Sequence, residues 1–125
     1  MVGAIAAAMS DAPALSRVLI VPFFGAVTRV PVSEMAFALR QTGYEVDMQC
    51  RWSSEAEKSA AVTWVTKLNE NLEPFARGLY VNQTSERRPE LAKSAYGSNY
   101  ARLVEIKRKY DPDNVLRLNQ NIKPS

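Results

Sequence analysis

Histidine is absent from the 125 residues of this sequence, and cysteine occurs once, as Cys50. Without histidine the chain lacks the commonest metal ligand, the usual base at neutral pH and any Ser-His-Asp catalytic triad. A lone cysteine excludes an internal disulfide and a zinc site built from several cysteines. Chemistry that depends on any of these groups is therefore excluded for the chain.

Long apolar runs and a strong charge bias are missing as well. The apolar run at residues 2–9 is too short to cross a bilayer, and it lacks the basic residues that open a signal peptide. The net charge is only +3, and the basic clusters at 87–88 and 107–109 carry no interleaved aromatic residues or recognition motif. A solvated face is favoured over a phosphate-binding patch at both clusters, so we expect no nucleic-acid partner and no membrane partner.

The composition that remains is that of an ordinary globular protein, with 46% hydrophobic and 23% charged residues. Residues 17–23 contain a continuous apolar, β-branched run, which predicts a buried strand. Residues 44–52 alternate strictly, which predicts a strand with one buried and one wet face, as in antiparallel sheets. The apolar side comprises Tyr44, Val46, Met48, Cys50 and Trp52, and the polar side comprises Glu45, Asp47, Gln49 and Arg51.

Helix signals flank these strands. Residues 4–10 predict a helix that Pro13 ends. Ser54 and Glu57 have the spacing of a capping box, which predicts a long helix after Ser54, with Gly78 as its terminator. Apolar residues recur along this helix at three- and four-residue spacing. The inward positions are Ala61, Trp64, Val65, Leu68, Leu72 and Phe75.

The other segments complete an α+β pattern. Residues 25–31 predict a loop, residues 33–41 a short helical turn and residues 79–82 a short strand. A helix is predicted from Pro89 to Gly97, and Ser98 is expected to cap another. The inward residues of that last helix would be Tyr100, Leu103, Val104 and Tyr110. This order of elements predicts an α+β fold in which an antiparallel sheet is covered by helices, with room for one modest core.

Two pairs of polar residues could carry chemistry. Glu45 and Asp47 project from one sheet face, where two carboxylates could orient a polyhydroxylated substrate or take a proton. A solvent-facing sheet surface is the alternative, and composition alone favours it. Tyr80 and Asn82 also share a face. A phenol is a poor base unless a nearby charge or cofactor stabilises the phenolate, so a half-buried core tyrosine is the alternative there.

The densest signal lies at residues 110–124. The sequence Asp-Pro-Asp-Asn at 111–114 predicts a turn, and the apolar residues at 115, 116 and 118 then require burial. The run Asn119, Gln120 and Asn121 offers several amide donors and acceptors. Polar capping of a terminal loop is the simplest explanation of these amides.

This ordered segment closely resembles the C-terminal motif of the berberine bridge enzyme-like family of FAD-linked oxidases. Residues 95–103 resemble the segment before that motif, and residues 78–82 resemble the family's short Tyr-x-Asn strand. Residues 24–31 are similar to its Gly-Gly-Ala loop, with Phe24 at a common glycine. In the similar stretch 36–40, Leu39 replaces a histidine. The resemblance spans nearly the whole chain but covers only the C-terminal part of a much longer enzyme.

The resemblance implies a role for each candidate residue. The parent reaction would be oxidation of an alcohol or sugar hydroxyl, with hydride passing to FAD and electrons then passing to oxygen. Tyr80 would accept the proton of the substrate hydroxyl, and Glu45 and Asp47 would line the substrate cavity. Residues 1–105 would form part of a substrate-binding domain, and residues 106–125 the family's C-terminal segment. The residues that help hold the cofactor would be Asn82, Asn119 and Asn121.

A missing partner is also implied. The family attaches FAD to a separate N-terminal domain through a histidine and often a cysteine, and Cys50 lies on the apolar face of its predicted strand, a poor position for attachment. We therefore expect FAD and a small-molecule substrate to bind only where a flavin-binding domain or chain completes the site. A non-enzymatic interaction module is the alternative. Apolar surface left without cover would favour self-association in either case.

Overall fold

Two strands lie in the N-terminal half of the chain and helices follow them, in a computed structural model that describes residues 1–84, 89–118 and 120–124. The order of the elements confirms the predicted α+β class. These elements are helix α1 (Val2–Met9), strand β1 (Ser16–Phe23), short helix α2 (Ala26–Arg29), strand β2 (Gly43–Cys50), and helices α3 (Glu55–Leu72), α4 (Pro89–Tyr96) and α5 (Tyr100–Tyr110).

The chain divides into two compact units. The sheet unit contains Met1–Pro22 and Gly43–Ala76, and the tail unit contains Phe23–Thr42 and Arg77–Ser125. The sheet unit therefore holds α1, α3, β2 and nearly all of β1, whereas the tail unit holds α2, α4 and α5.

Strands β1 and β2 pair antiparallel and form a two-stranded sheet in the described part of the chain. The antiparallel direction follows from contacts at one end of the sheet. The residue numbers of the facing pairs rise along β1 and fall along β2. The same register places Leu19 opposite Asp47 and Val21 opposite Glu45. The observed facing pairs are Leu15 with Arg51, Ser16 with Cys50, and Arg17 with Gln49.

One face of the sheet is covered by α3. Three side chains of α3 join one side chain of α1 to form the core, and the indole N–H of Trp64 donates to the carbonyl of Ala8 at 2.8 Å. The predicted inward positions Val46, Met48 and Cys50 pack against this core, as predicted. Tyr44 and Trp52 are instead exposed, because β2 ends at Cys50 and α3 does not reach its first residues. The core side chains are Ile5, Trp64, Leu68 and Leu72.

The apolar run of β1 is less buried than its sequence predicts. Residues 16–23 form the predicted strand, but Leu19, Ile20 and Val21 are 37–43% exposed. The prediction of a buried strand was therefore wrong for β1 within this chain. An apolar run of this kind requires cover on both faces, and of the run only Val18 packs against the core.

Helix α3 begins as predicted. The Ser54 hydroxyl accepts a hydrogen bond from the N–H of Glu57 at 3.3 Å. The Glu57 carboxylate reaches back to the N–H of Ser53 at 2.7 Å, one residue before the expected position. The capping box is thus present in a shifted form, and it satisfies two backbone donors at the helix start.

Helix α3 ends earlier than predicted, at Leu72. A 3-10 turn over Glu73–Phe75 follows, because Pro74 has no N–H with which to continue an α-helix. Phe75 is consequently exposed instead of inward-facing. Gly78 does not terminate the helix. Its lack of a side chain leaves room for Leu39, because a Cβ at this position would collide with a methyl group of Leu39.

The tail unit is organised around one buried amide. Asn99 is buried, and its Nδ2 donates to the carbonyls of Val32 at 2.8 Å and Met35 at 2.8 Å. Helix α4 agrees with the prediction, and it buries Ala92 and Ala95. Asn99 therefore ties the start of α5 to residues 32–35.

Four local predictions in the tail unit were wrong. The predicted loop at 25–31 contains α2, and residues 81–83 form a 3-10 turn where a strand was expected. A 3-10 turn over Gly97–Asn99 leads into α5, so Ser98 is not the N-cap. Tyr110 is exposed because it lies at the last position of α5. In contrast, the helical turn expected near residue 33 is present at Val32–Glu34.

No helix in residues 1–84, 89–118 and 120–124 is both long enough and apolar enough to span a bilayer.

Candidate functional site

The structure brings Tyr80 and Asn82 together. The Asn82 side-chain amide donates to the Tyr80 phenol oxygen, with 3.1 Å between Nδ2 and Oη. The 3-10 turn that replaces the predicted strand still allows this contact, because it bends the chain between the two residues. Tyr80 is half-buried, and Asn82 is exposed. The pair therefore presents a phenol oxygen with a fixed amide donor beside it.

An aromatic contact holds the Tyr80 ring on its other side. The rings of Phe37 and Tyr80 are 5.7 Å apart between centroids and stand at 80° to each other. This edge-to-face geometry is a favoured arrangement for aromatic pairs. Phe23 contacts Phe37 in turn, at 5.9 Å between centroids. The tyrosine is thus supported by packed rings and does not lie on a free surface.

Arg40 is a residue of this cluster that the sequence analysis did not single out. Its guanidinium lies 4.9 Å above the Phe37 ring and donates to the carbonyl of Val27 at 3.1 Å. The two residues are close in the sequence, but residues 37–40 form no helix, so no periodic pattern identifies the pair. Arg40 places a positive charge over the ring that contacts Tyr80.

Glu45 and Asp47 lie on one face of β2, as the alternation predicted. The Asp47 carboxylate accepts a hydrogen bond from Gln49, whose side-chain oxygen accepts one from Arg17 at 2.8 Å. Glu45 differs, because its Oε1 is buried and has no hydrogen-bond partner among the described residues. Of the two predicted substrate ligands, Glu45 therefore holds the uncommitted oxygen.

The same face is less polar than the β2 sequence alone suggested. In the antiparallel register, Leu19 faces Asp47 and Val21 faces Glu45, so each carboxylate has an apolar neighbour on β1. Both of these apolar residues are exposed. The face could therefore contact a ligand or partner that has both hydroxyl and apolar surface.

The tail after α5 is anchored by polar contacts, which corrects the expectation that its apolar residues are buried. Val115, Leu116 and Leu118 are 73–77% exposed. The chain turns at Asn114, whose φ of 52° lies in the left-handed region that asparagine tolerates. The expected turn at 111–114 is therefore present, and what fixes the tail must be sought among its polar groups.

Asp111 is the centre of these polar contacts. Its carboxylate accepts from the N–H of Val115 at 2.7 Å and from the N–H of Leu116 at 3.0 Å. The same carboxylate pairs with Lys107, one helical turn earlier. Lys107 is thus partly buried, and the prediction of a solvated basic face at 107–109 was wrong for it. Arg87 and Arg88, the other predicted basic cluster, lie outside the described residues.

These contacts determine the protonation of Asp111. The hydrogen bond from Lys107 is the main cause that lowers the pKa of Asp111 below its ordinary value. The N–H groups of Val115 and Leu116 lower this pKa further, and burial opposes them. Asp111 is therefore held as a carboxylate, the form that can accept both N–H groups.

Of the amides predicted to hold a cofactor, two are described. Asn82 is already committed to Tyr80 through one of its N–H groups. Asn121 is half-buried, and its Oδ1 is buried without a hydrogen-bond partner in the described part of the chain. Asn119 lies outside the described residues. No group of three or more metal-ligating side chains occurs among the residues that the structure describes.

Comparison with known proteins identifies the class of this chain. Residues 79–123 match the berberine and berberine-like family. Over 101 residues the chain is 37% identical to the FAD-linked oxidoreductase YvdP of Bacillus subtilis, a match that covers 81% of the chain and 23% of that protein. A FAD-linked oxidoreductase of Dictyostelium discoideum is 29% identical over 126 residues, covering 99% of the chain and 27% of the relative.

A plant relative carries the family's name. Berberine bridge enzyme-like 6 of Arabidopsis thaliana is 27% identical over 122 residues, covering 82% of the chain and 22% of that protein. The chain thus spans about a quarter of the length of the curated relatives it matches. It belongs to the berberine bridge enzyme-like family of FAD-linked oxidoreductases and represents a part of such a protein.

The pH dependence of the tail contacts can be predicted from Asp111. Because its pKa is lowered by folding, its stabilising effect is complete above the ordinary aspartate value of about 3.9 and is lost as the pH falls through the lowered pKa. We expect the amide resonances of Val115 and Leu116 to shift with a midpoint below about pH 3.9. Asp111→Asn should abolish this titration, and a midpoint at or above the ordinary value would contradict the assignment.

Proposed function

We propose that the chain is the C-terminal, substrate-side part of a FAD-dependent oxidase that oxidises alcohol or sugar hydroxyl groups, with oxygen as the final electron acceptor. The observation that carries this proposal is the Tyr80–Asn82 hydrogen bond in the segment that matches the berberine-like family. It gives a phenol oxygen the fixed partner that a proton acceptor requires.

Tyr80 has the role of taking the proton from the substrate hydroxyl. The N–H group of Asn82 donates to the phenol oxygen, and such a bond stabilises negative charge on that oxygen. The Phe37 ring restricts the rotation of Tyr80 and so fixes the direction in which the oxygen points. When FAD is bound, it supplies the hydride acceptor that removes the second hydrogen of the alcohol.

The described amides fit a flavin in their hydrogen-bonding character. The flavin ring edge has both carbonyl acceptors and an N–H donor, and Asn121 offers a buried acceptor oxygen without a partner. Asn82 has a second N–H group besides the one that it donates to Tyr80. Asn82 and Asn121 would help hold the cofactor. Asn119, in the resembling C-terminal motif, would have the same role.

Side chains on the sheet face support the proposed substrate class. Glu45 has a buried oxygen that can accept a hydroxyl hydrogen, and Asp47 lies on the same face in contact with Gln49. Carboxylates and amides two residues apart on a strand can bind neighbouring hydroxyl groups of a sugar. Leu19 and Val21 face these carboxylates from β1 and are exposed. Their side chains suit the apolar ring surface of such a substrate.

A flavin-binding domain or chain is the partner that this function requires. The five glycines are dispersed at 3, 25, 43, 78 and 97, so the chain has no glycine-rich loop of the kind that approaches a pyrophosphate. We therefore propose that the chain is inactive by itself and acts as part of a complete enzyme or as one subunit of a split flavoenzyme.

A second candidate function is that of a non-enzymatic interaction module. The exposed apolar residues Leu19 and Val21, which share one face of β1, favour it, because apolar surface on a strand is a typical association site. The two functions can be distinguished experimentally, because an interaction module requires neither Tyr80 nor flavin.

Flavin retention tests the proposed partner. We expect the 125-residue chain, expressed with excess riboflavin, to purify without a flavin absorption band near 450 nm, roughly where oxidised flavins absorb. Co-expression with a flavin-binding region of the same family should yield a yellow complex that contains both chains. Stoichiometric flavin on the chain alone would contradict the proposal, and a colourless complex would favour the interaction module.

The role of Tyr80 is tested in the flavin-loaded protein. Tyr80→Phe should lower turnover of an alcohol substrate by about a hundredfold to ten-thousandfold, because a general base is removed. The ring and its contact with Phe37 are kept, so the flavin content and the unfolding temperature should change little. Tyr44→Phe is a matched control, since Tyr44 is exposed on β2. Unchanged turnover at full flavin loading would return Tyr80 to the role of a core tyrosine.

A further inference from the structure

The tail after α5 is folded back by a single carboxylate. Asp111 accepts hydrogen bonds from two successive backbone N–H groups, those of Val115 and Leu116. Hydrogen bonds to an ionised acceptor are about twice as strong as those between neutral groups. Since the apolar side chains at these positions are exposed, the carboxylate and not burial fixes the direction of the chain here.

Lys107 completes this arrangement from inside α5. Its ammonium group pairs with Asp111 and also donates to the carbonyl of Leu116 at 2.5 Å. The Lys107 and Asp111 side chains are only 13% and 11% exposed, so the pair is screened less than a surface ion pair. Lys107 and Asp111 together, here named the clasp, therefore contact both the N–H and the C=O of Leu116.

Ordinary capping of α5 does not account for these contacts. Cations are favoured in the last turn of a helix because they interact with its free carbonyls. The Lys107 ammonium instead contacts Asp111 and the carbonyl of Leu116, both of which lie beyond the end of α5. Its binding partner is thus the tail, and the helix end is closed by the backbone N–H of Asp111, which donates to the Lys107 carbonyl at 2.8 Å.

A second anchor lies near the other end of the tail. Arg108 donates to the carbonyl of Pro124 at 3.0 Å. Neighbouring residues of α5 therefore hold the tail at residue 116 and at residue 124. The half-buried Asn121, with its unpartnered oxygen, is located between these two points.

We propose that Lys107 and Asp111 are positioning residues that fix the register of the tail and so present the Asn121 amide to its ligand. That the ligand is the flavin rests on the proposed function, whereas the clasp itself does not. Neither residue touches the reacting atoms in this assignment, and each acts through the backbone of Leu116.

Amide hydrogen exchange in the 125-residue chain tests the clasp at neutral pH. Lys107→Met should accelerate exchange at Val115 and Leu116 by about tenfold or more, the size expected when a charge-assisted hydrogen bond is lost. Lys107→Arg keeps the charge and should restore most of the protection. Lys109→Met is the matched control, because Lys109 lies over the Tyr110 ring and outside the clasp. Amides of α4, in the same unit as Lys107, report whether each variant is folded.

The outcomes separate the clasp from the proposed function. Unchanged exchange at Val115 and Leu116 in folded Lys107→Met would overturn the clasp. In the flavin-loaded complex, the same variant should lose flavin at least several-fold faster than Lys109→Met does. Faster exchange without faster flavin loss would overturn the link between the clasp and the ligand of Asn121. Absence of flavin from the unsubstituted complex would instead refute the proposed function and leave the exchange result unaffected.

Discussion

The sheet of this protein has two faces, and helix α3 covers only one of them. Everything in the sheet unit follows from this constraint: Trp64, Leu68 and Leu72 form a core with Ile5 on the covered face, while Leu19 and Val21 remain exposed beside the carboxylates of Asp47 and Glu45 on the other. When nothing packs on the outer side of β1, these apolar side chains stay in contact with water. The chain spans about a quarter of the length of its curated relatives.

The tail unit is stabilised by a different set of contacts. It packs the rings of Phe23, Phe37 and Tyr80 against one another and buries Ala92 and Ala95. Directional polar contacts add to this packing: Asn99 donates to backbone carbonyls near residue 33, and Lys107 with Asp111 fixes the tail. Polar contacts of this kind specify a geometry more narrowly than apolar packing does, because distance and angle both matter. The proposed role of the tail, to position the Asn121 amide for a ligand, would require that narrowness.

Local signals allowed much of this fold to be predicted from the sequence. The alternation of β2 and the capping box of α3 each depend on residues close in the chain, and both are present. The burial of β1 and the strand at 79–82 were predicted wrongly, because a strand requires partners that local sequence does not reveal. Among the candidate residues, Tyr80 and Asn82 were predicted to share a strand face, whereas they form a hydrogen bond across a 3-10 turn. Lys107 and Asp111 have the spacing of a helical ion pair and could have been recognised, whereas the buried oxygen of Asn121 depends on how the tail folds back.

Light scattering of the 125-residue chain across a dilution series tests the central claim, that the exposed apolar residues of β1 form a surface for another polypeptide. The account predicts a concentration-dependent association that the double substitution Leu19→Thr and Val21→Thr weakens by removing apolar contact area. Val62→Thr is the control, because Val62 is an exposed β-branched residue on α3, away from that surface. A monodisperse monomer at all concentrations that unfolds cooperatively above about 65 °C, beyond the usual mesophile range, would contradict the account.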